Sequence, residues 1–165
     1  YGLTVEQSEE APAVVLKLSE MLRYTIYDTK SDFVMLQDEI NYLESYIGLQ
    51  SIRHQQHVSI KFNYSKEKNI EIAPLLFIIL VENAFKHGVE KLISGAFIHI
   101  DFVADASGMS FTIKNNFEPD NSSAPHGIGL QNLKERLNLL YPNKHTLTTN
   151  SDKSTYVAKL ELTTA

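Results

Sequence analysis

The sequence predicts an α/β two-layer sandwich: a mixed, mostly antiparallel sheet with helices on one face, preceded by a helical segment. Three observations lead there. Apolar residues recur at three- and four-residue spacing in several stretches, the period of a helix. Elsewhere they alternate at two-residue spacing, the period of a strand. From the second helix onward the order is helix–strand–helix–strand–strand–helix–strand–strand, which lets successive strands pair antiparallel while helices cover one side.

The first ten residues are polar and carry no motif. Pro12 then opens a helix to about Tyr27, with Val15, Leu18, Leu22 and Ile26 in one stripe. Asp28–Asp32 is a polar connection, and Leu36 is placed in a short strand. A second helix is expected from about Gln37 to Arg53, with Asp38 and Glu39 in its first turn and Ile40, Leu43, Tyr46 and Ile47 along its apolar side. Val58, Ile60, Phe62 and Tyr64 alternate as a strand. A helix starting near Pro74 follows. Two more strands carry Ile98, Ile100 and Phe102, then Met109, Phe111 and Ile113, with Ser107-Gly108 as the turn. Leu130, Leu133, Leu137 and Leu140 mark a helix that Tyr141-Pro142 stops. The closing strands hold Leu147 among threonines, then Tyr156, Ala158, Leu160 and Leu162, joined by a turn at Ser151–Ser154.

Composition narrows the function. A length of 165 residues with 43% hydrophobic content suits one domain with an appended segment. The net charge of −5 argues against direct nucleic-acid binding as the main role. With no cysteine, disulfides and thiolate metal sites are excluded. The longest apolar run, Leu75–Val81, is far shorter than the roughly 20 residues a spanning helix needs. Membrane attachment is expected only through segments outside these residues.

Two stretches carry chemistry. In Pro74–Gly88, PLLFIILVENAFKHG, an apolar run ends abruptly in Glu82, Asn83, Lys86 and His87. On a helix these four fall within an arc of roughly 140°. An acid, an amide, a cation and an imidazole converging at the end of a buried helix call for a polar occupant, and a metal–phosphate ligand fits. Taken alone, the stretch reads equally as a helix surfacing at Glu82 with a solvated Glu82–Lys86 pair. In the second stretch, Gly127-Ile-Gly129-Leu130 opens the leucine-periodic helix, where glycines and unpaired N–H groups suit phosphate oxygens. Alone, it is a glycine turn before a helix. Between the two lies Asn115–His126, a polar stretch with the composition of a lid or linker.

Together these residues resemble a family. Glu82-Asn83-Ala84-Phe85-Lys86-His87-Gly88 and Gly127-Ile-Gly129-Leu130-Gln-Asn132-Leu-x-x-Arg136-Leu are similar to the ATP-binding domain of sensor histidine kinases, and of the LytS-type subfamily in particular. Upstream, Leu18-Ser-Glu-Met-Leu-Arg23-Tyr24, Leu36-x-x-Glu39-Ile40 and Tyr46-Ile-x-Leu-Gln-x-x-Arg53 extend the likeness over nearly the whole chain from Leu16. The resemblance implies the Bergerat-type ATP-binding fold of the gyrase, histidine kinase and MutL superfamily. It implies that Asn83 holds Mg²⁺ against the nucleotide phosphates and that Glu82 is the catalytic residue near the γ-phosphate. Lys86 and His87 would neutralise phosphate charge, while Gly127, Gly129 and Leu130 cradle phosphates. Asn115 would meet adenine.

Residues 1–31 are then the end of a dimerisation and phosphotransfer region, and residues 32–165 the catalytic domain. The implied cofactors are ATP and Mg²⁺. The implied partners are a response regulator of the LytTR type and a second copy in the full-length protein, on the cytoplasmic side of a bacterial inner membrane. Two departures stand out. Asn115 replaces the family's adenine-reading aspartate, with no glycine after it. No proline–histidine–phenylalanine motif supplies a phospho-accepting histidine, so the acceptor is expected outside the chain. His99 reads as a strand histidine, and His54 with His57 as a helix terminus. A noncatalytic nucleotide-sensing or pseudokinase module is the alternative.

Overall fold

The computed structural model describes residues 11–54, 58–67, 70–118 and 128–163. They fall into two compact units, one holding residues 11–54 with 70–74 and the other residues 58–67 with 75–163.

The first unit contains α1 (Ala11–Tyr27), a 3-10 turn at Asp28–Lys30, β1 (Val34–Met35), α2 (Leu36–Arg53) and β3 (Glu71–Ile72). Leu36 is the first residue of α2 rather than part of a strand; the strand is Val34–Met35 just before it. Its partner β3 went unread in the sequence because two residues show no alternation. The pair is antiparallel, Val34 opposite Ile72, and Leu36 N–H extends it by donating to Ile70 O at 2.8 Å. Tyr24 joins the helices: it is buried, its hydroxyl donates to Glu39 Oε1, and its ring lies 5.1 Å from that of Tyr42. Burial and the Glu39 carboxylate push the Tyr24 hydroxyl far above the usual tyrosine range. The predicted stripe of α1 stays open, with Val15, Leu18, Leu22 and Ile26 each about half exposed.

The second unit is built on five strands: β2 (Val58–Lys66), β4 (Ala96–Ala104), β5 (Gly108–Asn116), β6 (His145–Ser151) and β7 (Thr155–Thr163). Their order across the sheet is β2-β4-β5-β7-β6, with β2 parallel to β4 and every other pairing antiparallel. The predicted alternation is what folds the sheet. Ile98, Ile100 and Phe102, Phe111 and Ile113, and Ala158 and Leu160 point to one side and are buried, while Asp101, Val103 and Lys114 point to the other and are exposed. His99 lies on that open side, its ring 4.9 Å from Phe97.

Two helices, α3 (Ile78–His87) and α4 (Ile128–Leu140), pack on the buried side. α3 begins four residues later than Pro74 suggests. Leu75 adopts a left-handed backbone, φ 56°, so the chain turns there before Phe77 O accepts from Leu80 and Val81 N–H at 3.0 and 3.2 Å. Phe77 sits at that start, its ring 4.8 Å from Phe111 and 5.0 Å from Phe102, and all three are essentially solvent-free. Phe77→Ala should lower unfolding free energy by about 3–5 kcal/mol. Urea titration followed by circular dichroism measures it; a loss under 1 kcal/mol would show that this cluster does not anchor α3.

Candidate functional site

The site is assembled where the C-terminal end of α3 meets the end of β5. α3 buries Ile78, Leu80, Val81, Ala84 and Phe85 toward the sheet. That leaves Glu82, Lys86 and His87 exposed and Asn83 half-buried, so the predicted arc does face away from the core. The helix does surface at Glu82, with Glu82 and Lys86 both exposed, but no ion pair links them among the described residues. Desolvation raises the Glu82 carboxyl above the ordinary carboxylate range. Asn83 Nδ2 is buried and has no hydrogen-bond partner among the described residues. A buried amide donor in that state calls for a polar acceptor, which a bound ligand or water can supply.

Gly88 brings β5 against this helix end. It caps α3, its N–H donating to Ala84 O at 2.9 Å. A Cβ placed on it would lie 2.6 Å from Ala84 O, 2.6 Å from Asn115 Nδ2 and 2.7 Å from Asn116 O. Only glycine allows that approach. Asn115 is 1% exposed; its Nδ2 donates to Asn116 O at 3.0 Å, and its Oδ1 is buried without a partner among the described residues. Asn116, its neighbour, has both ends of its amide engaged: Oδ1 accepts from Phe97 N–H at 2.8 Å and Nδ2 donates to Gly95 O at 2.9 Å. The two adjacent asparagines are thus distinguished by structure. Asn116 ties down the start of β4, and Asn115 keeps an unanswered acceptor. Sequence reasoning missed the roles of Gly88 and Asn116, which arise only when the end of α3 meets β5 and the start of β4.

α4 starts next to the same face of α3. A Cβ on Gly129 would meet Ile79 Cγ2 at 3.5 Å, an ordinary contact. Ile79 precedes Glu82 and Asn83 by three and four residues, so the first turn of α4 borders the stripe that carries them. Leu130 is half-buried in that turn. Gly127 and residues 119–126 of the predicted lid lie outside the described residues. Where that stretch begins, Phe117 N–H donates to Ser154 O at 2.9 Å, extending the β5–β7 ladder by one bond. His54 caps α2, and His57 is outside the described residues. Among the described residues no group of three or more His, Cys, Asp or Glu could hold a metal, and no helix is long and apolar enough to cross a membrane.

The chain is similar to known proteins in sequence over part of its length and in fold. The histidine kinase family matches residues 1–58. The sensor protein kinase HptS of Staphylococcus aureus (strain USA300) is 39% identical over 79 residues, which are 47% of this chain and 15% of that protein. The chain therefore spans a small part of such relatives. In fold, it is similar to the catalytic domain of histidine kinase ThkA, with a TM-score of 0.59 at 12% identity over 81% of this chain and 97% of that one. It is also similar to ThkA in a complex with the response regulator TrrA, with a TM-score of 0.58 at 13% identity over 92% of this chain and 48% of that one.

The imidazole of His87 is held below the usual histidine range, first by desolvation and then by the charges of Lys86 and Lys91. Its protonation therefore disfavours the folded form, a penalty that grows as pH falls below the ordinary histidine pKa of about 6.5. A bound anion beside it would reverse the sign and raise its midpoint in an NMR titration of the imidazole protons, with inorganic phosphate as the probe. A midpoint that does not move at saturating phosphate would show that no anion settles beside His87.

Proposed function

We propose that this chain, related in sequence to histidine kinases over residues 1–58 and sharing the fold of their catalytic domains, is the ATP-binding part of a two-component sensor kinase. It would donate the γ-phosphate of ATP to a histidine outside the chain, for relay to a response regulator. One observation carries the reading: Asn83 Nδ2 and Asn115 Oδ1, on two elements pressed together at Gly88, are both buried with no partner among the described residues. A nucleotide would answer both, its phosphates at Asn83 and its base at Asn115.

The residues fit Mg·ATP. Asn83 offers one amide oxygen, enough for an ion that keeps several waters and takes its other ligands from phosphate. Asn83 would hold Mg²⁺, which when bound would supply charge neutralisation. The chain's own groups would position and stabilise. Lys86 and His87 supply positive charge at the exposed end of α3. Glu82, its carboxyl raised by desolvation, orients the attacking group near the γ-phosphate. Gly129 and Leu130, with Gly127, present the opening of α4 to the phosphates. Residues 1–31 would be the end of the dimerisation and phosphotransfer region and 32–165 the catalytic domain. The half-exposed stripe of α1 is then the face that a helical bundle in the full-length dimer covers.

The ordered motifs from Leu18 to Arg53 favour a LytS-type kinase, and with it a LytTR-type regulator. ThkA, whose fold this chain shares, is complexed with a response regulator. The full protein would be anchored in the membrane by other segments, with this part on the cytoplasmic side. Asn115 in place of an aspartate supports a second reading, a noncatalytic nucleotide-sensing module. Titration of the chain with Mg·ATP or Mg·ADP should shift amide resonances of α3 and the end of β5. Asn83→Ala should weaken binding by at least ten-fold, a loss of about 1.4 kcal/mol. No spectral change at millimolar nucleotide sinks the ATP-site reading. In the full-length protein, Glu82→Gln should abolish phosphohistidine; signalling that persists without it selects the noncatalytic reading.

A further inference from the structure

α1 and α2 are bonded at Tyr24–Glu39, yet beside that bond they leave a cleft of about 340 Å³ lined from both helices. Met21 and the tilted rings of Tyr24 and Tyr42 give it apolar walls, and the exposed carboxylates Glu20, Asp38 and Glu44 give it charge. None of these three carboxylates has an ion-pair partner among the described residues. The two cations of the lining are turned elsewhere. Arg23 faces Asp28 at 3.6 Å, and Lys17 lies along Gly48, where a Cβ would come within 3.1 Å of its Nζ. The negative charge is felt inside the cleft: after burial and Glu39, the charges of Asp38 and Asp28 also hold the Tyr24 hydroxyl in its neutral form.

One buried group is left open to this cleft. Ser45 lines it and is 8% exposed, and its hydroxyl has no partner among the described residues. The other hydroxyls of the two helices, on Ser19, Thr25 and Ser51, each donate to the carbonyl four residues back. A partner laid on the half-exposed stripe of α1 would not close the cleft. Lys17, Glu20 and Tyr24 follow Val15, Leu18 and Leu22 by two residues, roughly 200° round the helix. A single metal ion does not suit these donors, because among the described residues no three acidic, histidine or cysteine side chains are gathered closely enough to hold one. Separated carboxylates around apolar walls suit a longer cation, with charged nitrogens spaced by methylenes. The volume falls in the range of small-molecule sites, about 300–1,000 Å³. We infer that the α1–α2 cleft is a binding site for a linear aliphatic polyamine. Its ammonium groups would pair with Glu20, Asp38 and Glu44 at the rim, an N–H would meet the Ser45 hydroxyl, and its methylenes would lie on Met21 and Tyr42. The site is built from residues 11–54 alone and stands whether or not the second unit binds nucleotide.

The test is an NMR titration of the 165-residue chain with spermidine at constant ionic strength. Amide resonances of Tyr42 and Ser45 should shift with half-saturation below about 1 mM, and Mg²⁺ at the same ionic strength should bind there at least about ten-fold more weakly. Asp38→Asn and Glu44→Gln change exposed side chains, so both variants should fold, and each should weaken spermidine about three-fold, the worth of one exposed ion pair. Glu135→Gln removes the same charge from the exposed face of α4 and should leave the affinity unchanged. Equal weakening by Glu135→Gln overturns the inference, since the amine would then be answering net charge alone. Mg²⁺ that matches spermidine also overturns it. So do Tyr42 and Ser45 resonances that stay still at about 10 mM spermidine, a concentration at which even millimolar affinity would saturate the cleft.

Discussion

The close approach of α3 to β5 at Gly88 is the constraint on which the candidate site depends. A helix 10 residues long has little to hold it in place except its ends and its buried side. At one end Phe77 is wedged into the Phe102–Phe111 pair, and at the other Gly88 lets backbone touch backbone. Between these pins, one side of the helix sinks into the sheet and the opposite side is committed to whatever lies outside. The polar arc is therefore directed by packing at apolar residues and by the absence of one methyl group. That explains how exposed side chains with few bonds of their own keep a defined position.

Much of the fold was legible because the sheet is wet on one side. Ile98-His99-Ile100-Asp101-Phe102 alternates for the plain reason that its even residues meet helices and its odd residues meet water. The helices read equally well at their middles and less well at their starts. Pro74 is a good first residue for a helix, but Leu75 in a left-handed conformation overrides it, and no local pattern marks a leucine for that role. The β1–β3 ladder is too short to leave a period. Glu82, Asn83, Lys86 and His87 could be picked out because polar residues interrupt an apolar run. Gly88 and Asn116 could not, since their roles exist only when residues nearly 30 positions apart in sequence are brought into contact.

The first unit shows a different economy. Its two helices are joined by a buried tyrosine hydroxyl on a buried carboxylate, with a second aromatic ring beside it. Such a bond fixes rotation and register between helices more than it adds stability, because both groups were fully hydrated before folding. α1 leaves Val15, Leu18, Leu22 and Ile26 half exposed and buries Tyr24 against Glu39 of α2.

The parallel pairing of β2 with β4 bears on how the domain is made. β4, β5, β7 and β6 pair antiparallel, and the β4–β5 and β6–β7 neighbours are joined by short turns, so their ladders close over small chain loops. β2 meets its partner 38 residues away, as at Asn63 and Asp101, with α3 in the intervening chain. The entropy lost in closing that loop is recovered only when the helix between them has docked. The helix that carries the polar arc is therefore also the one whose docking lets the sheet gain its fifth strand. Assembly of the site and completion of the domain become a single cooperative event, and a chain that misplaces α3 loses both together.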